Sequence, residues 1–331
     1  MNLESGVALE CLKGMVVIRA VEERICAEYG RRNIRGPVHL SIGQEAMAVG
    51  VFSASRPEDP SVSTHRDHAH YLAKGGDVGA MVDELYGLDS GCSRGYGGSM
   101  HLFSRSANFL GASAVLPGST PVAVGISLGC KLDGAGAVCI GFAGDGASDE
   151  GSFFEALNLA AVLRLPVLFV CENNGLSTNT PIDARQAQTD IVQKARAFGL
   201  HSESADGVDV FAVRDAALGI LDRVRTSSTP AVLSLTAARL CAHVGPLSTI
   251  ASLDPETIFD EARDPNSKDP IARCVGTILR RAPELSDECR AILRDVPHQI
   301  AAEFQRANDA FEKQNAVAGL VAPPPPKSHT V

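Results

Sequence analysis

The sequence of 331 residues has no continuous apolar run of membrane-spanning length, since a membrane helix needs about 20 mostly apolar residues. Its first six residues, Met-Asn-Leu-Glu-Ser-Gly, lack the basic and then apolar layout of a signal peptide. Basic residues are scattered rather than grouped, and the net charge is −9. These features argue against a membrane or a nucleic acid as the primary partner, and we expect a cytoplasmic protein.

The nine cysteines show no Cys-x-x-Cys pairing, and several of them lie within apolar runs. A free thiol in such a run packs as a small hydrophobic group. We therefore expect reduced core cysteines rather than metal ligands. The sequence also shows no internal repeat.

Short apolar stretches that are typical of buried strands alternate with segments of helical periodicity, which predicts an α/β fold around a mostly parallel sheet. The predicted strands cover 137–143, 166–171, 200–204 and 231–236. The predicted helices cover 9–29, 43–53, 78–88, 121–132, 151–163 and 209–225.

The carboxyl-terminal part of the sequence differs from the rest in its pattern. From 238 to 270 the prolines and the absence of periodicity predict a loop. Two closing helices are predicted over 270–281 and 286–314, and Pro297 is expected to kink or split the second. The predicted organisation is one large domain over 1–270, a helical appendage over 271–318 and a flexible proline-rich tail over 319–331.

Polar motifs follow two successive predicted strands. Gly144-Asp145-Gly146 follows the first strand, and Asn173-Asn174 ends the second. Magnesium prefers oxygen ligands that protein and phosphate share, and the helix that begins after Asp145 presents free amides to an anion. The pattern therefore predicts Asp145, Asn174 and the carbonyl of Leu176 as ligands of a divalent metal on a diphosphate, with a simple turn as the alternative for Asn174.

This pattern resembles the thiamine-diphosphate signature. The longer stretch 144–180 is similar to the alpha subunit of the 2-oxo acid dehydrogenase family, which includes pyruvate, branched-chain and acetoin dehydrogenases. Three more segments match in the family's order: RGPVHLSIGQEA over 35–46, STHRDHAH over 63–70 and GYGGSMH over 95–101. The resemblance covers most of the chain and implies the family's thiamine-diphosphate-binding fold.

The resemblance implies thiamine diphosphate and magnesium as cofactors. It assigns cofactor contacts to Arg66, Leu116, Gly144, Gly146, Ala147 and Arg239. Arg66 would contact the diphosphate, because a planar guanidinium matches phosphate oxygens. Leu116 falls at the position that supports the bent cofactor, and Gly146 and Ala147 would bring the backbone close to the diphosphate. Arg239 would hold its loop or a substrate acid.

The histidines expected in the site fall in the segments 35–46 and 63–70 and in the loop Arg239-Leu-Cys-Ala-His243, which also matches the family. By resemblance, His39 would face the substrate carboxylate or the reacting carbon, and His243 would reach the diphosphate and stabilise the bound intermediate. His65, where relatives often have tyrosine, would add a hydrogen-bond donor. Histidine suits such positions because it transfers protons near neutral pH. His68 and His70 either line the substrate entrance or serve a structural role.

The glutamate that activates the cofactor belongs, in this family, to a second, pyrimidine-binding domain. The chain is too short to contain both domains and its appendages. The glutamates at 45, 150, 155 and 172 are explained by helix or motif positions. The resemblance therefore implies a beta subunit that carries the pyrimidine-binding domain and the glutamate, in a two-fold heterotetramer.

The resemblance also implies the reaction: a carbon–carbon bond beside a carbonyl is cleaved, and the acyl or hydroxyalkyl unit passes to a lipoyl group on an acyltransferase or carrier partner. The sequence contains no lipoyl-like module. One alternative is a transketolase-like transfer of a two-carbon ketol unit from a ketose phosphate to a carrier, motivated by the altered segment 112–117 and the histidine-rich segment 65–70. Another is a non-catalytic scaffold.

Overall fold

A computed structural model describes residues 5–34, 36–245 and 253–318. Within these ranges, six strands form a parallel sheet in the order β2-β1-β3-β4-β8-β7, and β5 and β6 form a small antiparallel hairpin. The strands are β1 (Ser61–Thr64), β2 (Phe109–Ser113), β3 (Cys139–Gly144), β4 (Val167–Asn173), β5 (Leu176–Ser177), β6 (Thr180–Pro181), β7 (His201–Asp206) and β8 (Ala231–Thr236). The predicted α/β fold is thereby confirmed.

Helices cover both faces of the sheet and form a further layer beyond it. They are α1 (Ser5–Tyr29), α2 (Glu45–Ala54), α3 (His68–Ala73), α4 (Val78–Leu85), α5 (Ser119–Asp133), α6 (Gly151–Leu163), α7 (Ile191–Ala197), α8 (Val210–Ser227), α9 (Pro255–Glu261), α10 (Pro270–Arg281) and α11 (Ser286–Ala318). Among the described residues, no helix combines the length and the apolar character needed to cross a bilayer. The predicted tail over 319–331 lies outside the described residues.

Strand β4 shows why the sheet is covered on both faces. Leu168 and Val170 pack with α2 and α8, whereas the alternating residues Val167 and Phe169 pack with α5, α6 and α7. All of these side chains are buried. Because side chains alternate across a strand, a nearly continuous apolar strand must be covered twice.

Buried charges join the outer helices to the sheet layer. Arg19 of α1 is fully buried and pairs with Glu45 of α2, and its Nη1 lies 2.9 Å from an Asp269 carboxylate oxygen just before α10. Buried charges are tolerated when they are paired. Glu45 thus has a structural role, as its helix position predicted, and the network fixes α10 on α1. The division of the chain into a domain and an appendage stays a prediction.

Two strands of the parallel sheet, like the short β5–β6 hairpin, were missed, because their sequences lack an apolar pattern. Strand β1, Ser-Val-Ser-Thr, is buried along its whole length between β2 and β3. Its hydroxyl groups form hydrogen bonds there. For example, Ser63 Oγ lies 2.7 Å from His70 Nδ1. Strand β2 includes Gly111 at φ +132°, a conformation that L side chains rarely adopt. Neither strand carries the apolar signal that predicts a buried strand.

One prediction about prolines was wrong, and one of the two alternatives for Pro297 is excluded. The stretch 238–270, predicted as a loop, contains α9, which begins at Pro255 after Asp254, whose side chain accepts a hydrogen bond from the Thr257 amide at 2.9 Å. Asp followed by Pro at the first helical position is a helix-start signal rather than a break. Pro297 lies inside α11, which continues without interruption to Ala318, so the predicted split does not occur.

The contact between α2 and α8 depends on Gly50. A Cβ atom added at Gly50 would lie 2.6 Å from Val213 Cβ, closer than such atoms pack. We expect Gly50→Ala to lower the free energy of unfolding by about 2 kcal/mol, because overpacking a core outweighs the gain in helix propensity. Thermal unfolding followed by circular dichroism measures the effect.

Gly219, exposed on α8 with nothing within 4 Å of an added Cβ, provides the matched control. Gly219→Ala should raise the free energy of unfolding by about 0.5–1 kcal/mol, because glycine is unfavourable in a helix interior. The same change in the free energy of unfolding for both variants would contradict the close contact between α2 and α8.

Candidate active site

The carboxyl ends of adjacent parallel strands surround a cavity of about 270 Å³. Open α/β sheets bind ligands in the crevice at this edge. The cavity is lined by Gln44, Thr64, His65, Arg66, Leu116, Gly144, Asp145, Gly146, Ala147, Glu150, Glu172, Asn174, Leu176, Ser177, Thr178, Arg239 and His243. The motif after β3 and the motif after β4 therefore open into one space.

The turn after β3 presents Asp145 to the cavity. Residues 145–149 form a 3₁₀ turn that leads into α6. A Cβ atom added at Gly146 would lie 2.6 Å from Ser177 Oγ, so the turn and β5 are in close contact. Glycine at this position lets the two loops approach. The predicted approach of the Gly146 backbone to a diphosphate stays a prediction.

The loop after β4 is shaped by its asparagines. Asn173 Oδ1 accepts a hydrogen bond from the Gly175 amide, and Asn174 Oδ1 accepts one from the Leu176 amide, each at 3.0 Å. Gly175 has φ +76°, which favours glycine. An amide oxygen has two lone pairs, so Asn174 can hold this turn and still offer an oxygen to a ligand in the cavity.

The carboxylate of Asp145 is buried and paired. Arg185 Nη2 lies 2.6 Å from Asp145 Oδ2. Burial raises the pKa of Asp145 from its ordinary value, and the hydrogen bond and charge of Arg185 oppose this shift. Asp145 and the Asn174 amide supply the hard oxygen donors that magnesium prefers. The donor set therefore fits the implied cation.

Two guanidinium groups lie at another side of the cavity. The buried Arg66 donates to the Leu40 carbonyl, and its Nη2 donates to the His243 carbonyl at 3.3 Å. Arg239 donates to the carbonyls of Cys241 and Thr178, each at 3.0 Å. Held by backbone oxygens, both positive charges line the cavity, and an anionic ligand can bind there with bidentate geometry.

Three histidine rings cluster beside these guanidinium groups. The ring centroids of His39 and His65 are 4.3 Å apart, and those of His39 and His243 are 5.2 Å apart. Burial, and then nearby positive groups, lower the pKa of His39 to about 3 and the pKa values of His65 and His243 to about 4. All three rings are therefore neutral at pH 7, and each has an unprotonated nitrogen that can accept a hydrogen bond.

The same cluster has the spacing of a possible metal site, since one nitrogen from each ring lies within 4.8 Å of the others. Its electrostatics favour the opposite ligand. Arg66 Nη2 and Arg239 Nη1 lie 3.4 and 3.3 Å from Nδ1 of His243. Two guanidinium charges repel a cation and attract an anion, so the cluster suits a substrate carboxylate or a developing negative charge.

His68 and His70 have structural positions. Both are buried, and neither is among the cavity-lining residues. His68 lies between Glu22 and Ser99, with its ring nitrogens 3.1 and 2.8 Å from their oxygens. His70 lies 3.0 Å from a Glu172 carboxylate oxygen. The possibility that these two rings line the entrance is not supported, and their hydrogen bonds fit the structural alternative.

Eleven of the twelve predicted site residues line the cavity, and the twelfth, His39, packs against two of them. Their individual roles stay predictions. Sequence reasoning missed the lining residues Gln44, Thr64, Ser177 and Thr178, although each lies within or next to a matching segment. It also missed Arg185, which lies in a segment without a motif or a periodic pattern.

Comparison with known proteins agrees with this geometry. Residues 13–315 match the family model for the dehydrogenase E1 component. The chain is 42% identical over 241 residues to the alpha subunit of acetoin:2,6-dichlorophenolindophenol oxidoreductase from Cupriavidus necator, covering 73% of this chain and 72% of that protein. It is 33% identical over 312 residues to the alpha subunit of the same name from Bacillus subtilis, covering 92% and 94%.

A third relative is the pyruvate dehydrogenase E1 component subunit alpha of Zymomonas mobilis, 39% identical over 236 residues, which cover 71% of this chain and 67% of that protein. The family model and these relatives define the chain as part of a thiamine-diphosphate-dependent enzyme of the oxidoreductase class. The chain belongs to the dehydrogenase E1 component family, as an alpha subunit of the 2-oxo acid dehydrogenase type. The ketol-transfer and scaffold alternatives are not favoured.

Proposed function

We propose that this alpha subunit binds the diphosphate of thiamine diphosphate through magnesium and forms a shared active site with a beta subunit. The observation that carries the proposal is the convergence of Asp145, Asn174 and Leu176 on one cavity that also contains Arg66. Oxygen donors suit the cation, and the guanidinium suits phosphate oxygens. The cofactor, when bound, supplies the electron sink for cleavage beside a carbonyl.

The relatives support a shared site. They are named as alpha subunits, which supports a beta subunit for this chain. We propose a two-fold heterotetramer whose beta subunit carries the pyrimidine-binding domain and the activating glutamate.

The glutamates near the cavity are consistent with this division. Glu172 lines the cavity, but its carboxylate is bonded to His70 Nε2 at 3.0 Å. Glu150 lines the cavity as the residue just before α6 and is exposed. A glutamate that activates the cofactor must contact the aminopyrimidine ring, and the beta subunit is the proposed source of that contact.

The proposed donor is a 2-oxo acid whose carboxylate binds near the histidine cluster. His39, His65 and His243 are neutral and lie beside the positive charge of Arg66. A neutral ring can hold or return a proton while the guanidinium attracts the acid. The acyl unit would then pass to a lipoyl group on a partner, and a cytoplasmic location is proposed for the assembly.

The experiment is reconstitution of the chain with its beta subunit. Calorimetry should detect thiamine diphosphate binding that requires magnesium and both subunits. Turnover is then measured with pyruvate, branched 2-oxo acids, acetoin and ketose phosphates, and dichlorophenolindophenol accepts the two electrons that are released. Turnover of ketose phosphates alone would overturn the proposed donor, and absence of cofactor binding would overturn the proposed site.

A further inference from the structure

The segment after β5 joins the two loops that carry the proposed metal ligands. The Ile182 amide donates to the Gly175 carbonyl at 2.9 Å, and the 3₁₀ turn Ile182–Ala184 then leads to Arg185. Gln186 Nε2 donates to Ser148 Oγ at 3.1 Å, in the turn after β3. The segment that starts with the β5–β6 hairpin beside Asn174 therefore ends against the turn that presents Asp145.

Arg185 uses all three guanidinium nitrogens in this position. Nη2 lies 2.6 Å from Asp145 Oδ2, Nη1 pairs with the carboxylate of Asp149, and Nε donates to the Thr180 carbonyl at 3.2 Å. Only 11% of the side chain is exposed. A planar donor group that is bonded in three directions holds its partners in a fixed geometry.

The guanidinium binds a carboxylate of the cavity wall without being part of that wall. Asp145 lines the cavity, whereas Arg185 is not among the lining residues of the described chain. Arg185 binds Oδ2, and the backbone amides of Asp145 and Asn174 also contact the carboxylate. The two oxygens of a carboxylate have about four lone-pair sites, so the group can still bind a ligand within the cavity. Partners outside the first coordination shell commonly orient metal-binding groups in this way.

We propose that Arg185 is a positioning residue that holds Asp145 with one oxygen directed at the metal. The inference depends on the proposed function, because it assigns the outer contact of the proposed magnesium site. Arg185 can affect metal binding in two ways, and these predict opposite results when it is removed. If Arg185 orients the Asp145 carboxylate, its loss weakens metal binding. If only its positive charge matters, its loss strengthens metal binding, because that charge repels the cation.

The test uses the assembled alpha and beta subunits with thiamine diphosphate, and Mn²⁺ as the probe, because free Mn²⁺ is quantified by electron paramagnetic resonance. Arg185→Gln should weaken Mn²⁺ binding by about 10–100-fold, as loss of an outer partner commonly does. Turnover at saturating Mn²⁺ should return close to that of the wild type. Arg185→Lys retains the positive charge but not the planar guanidinium that bonds in three directions, and it should bind Mn²⁺ with intermediate affinity.

Arg263→Gln is the matched control, since Arg263 is 82% exposed in a surface pair with Asp260 and should leave Mn²⁺ affinity unchanged. Unchanged or tighter Mn²⁺ binding in Arg185→Gln would overturn the positioning role. If Arg185→Gln does not fold, Arg185→Lys decides: wild-type affinity overturns the role, and weaker binding supports it. A wild-type complex that binds no Mn²⁺ would overturn the proposed function itself, and the inference with it.

Discussion

Asp145→Asn is expected to weaken the binding of thiamine diphosphate at a fixed magnesium concentration by about 10²–10⁴-fold. Asp145 is buried, lines the cavity and carries the negative charge that the proposed metal needs. Removing one partner of a buried charge interaction costs about 3–5 kcal/mol, and each 1.4 kcal/mol is a factor of ten. Asparagine retains the shape and one oxygen, so the variant isolates the loss of charge.

The measurement is calorimetric titration of the assembled subunits with the cofactor. Asp183→Asn is the control, because Asp183 is an exposed carboxylate on the segment that leads to Arg185. It should retain wild-type affinity and a wild-type melting temperature. Cofactor binding by Asp145→Asn at wild-type strength would remove Asp145 from the proposed metal site.

Asp145 and Asn174 illustrate what the sequence could predict. Each follows a short apolar stretch that forms a buried strand, β3 or β4, and the two strands are neighbours in the sheet. A local motif at the end of a predictable strand has a predictable location, because parallel strands end at the same edge. The meeting of these residues at one cavity therefore followed from the strand pattern and the resemblance together.

Arg185 illustrates what the sequence could not predict. It lies 40 residues from Asp145 along the chain, after the β5–β6 hairpin and a short 3₁₀ turn, in a segment without periodic pattern. Arg185 meets Asp145 because the segment that contains Arg185 folds back against the turn after β3, and this is a tertiary contact. Strand β1 shows the same limit, since its serines are buried through contacts such as that with His70. The local sequence pattern predicts a strand or a contact poorly where tertiary contacts determine it.

The loop that carries His243 shows a further limit. The loop was predicted from its prolines and its lack of periodicity, yet Asp254 and Pro255 start α9 within it. Residues 246–252 lie outside the described residues. Two hydrogen bonds hold the loop at His243. The Gly245 amide donates to the Val38 carbonyl at 2.9 Å, and Arg66 donates to the His243 carbonyl. The resemblance, not the local pattern, assigned this histidine to the site.

His243→Ala is expected to lower kcat by about 10²–10⁴-fold, the usual contribution of a positioned acid or base, and to weaken cofactor binding by a smaller factor, because the predicted contact with the diphosphate is lost. The ring contacts His39 and lies beside two guanidinium groups. Burial and these charges lower its pKa to about 4, so the ring is neutral at pH 7 and readily gives up a proton that it receives during the reaction. Steady-state turnover and calorimetry on the assembled subunits separate the two quantities.

His298→Ala provides the control, since His298 is exposed on α11 and is not among the cavity-lining residues. It should leave both kcat and cofactor affinity unchanged. A catalytic ring and an anchoring ring give different results, because a group that acts only in the transition state lowers kcat without weakening ground-state binding. If His243→Ala instead weakens cofactor binding and retains wild-type kcat at saturation, His243 binds the cofactor and does not take part in proton transfer.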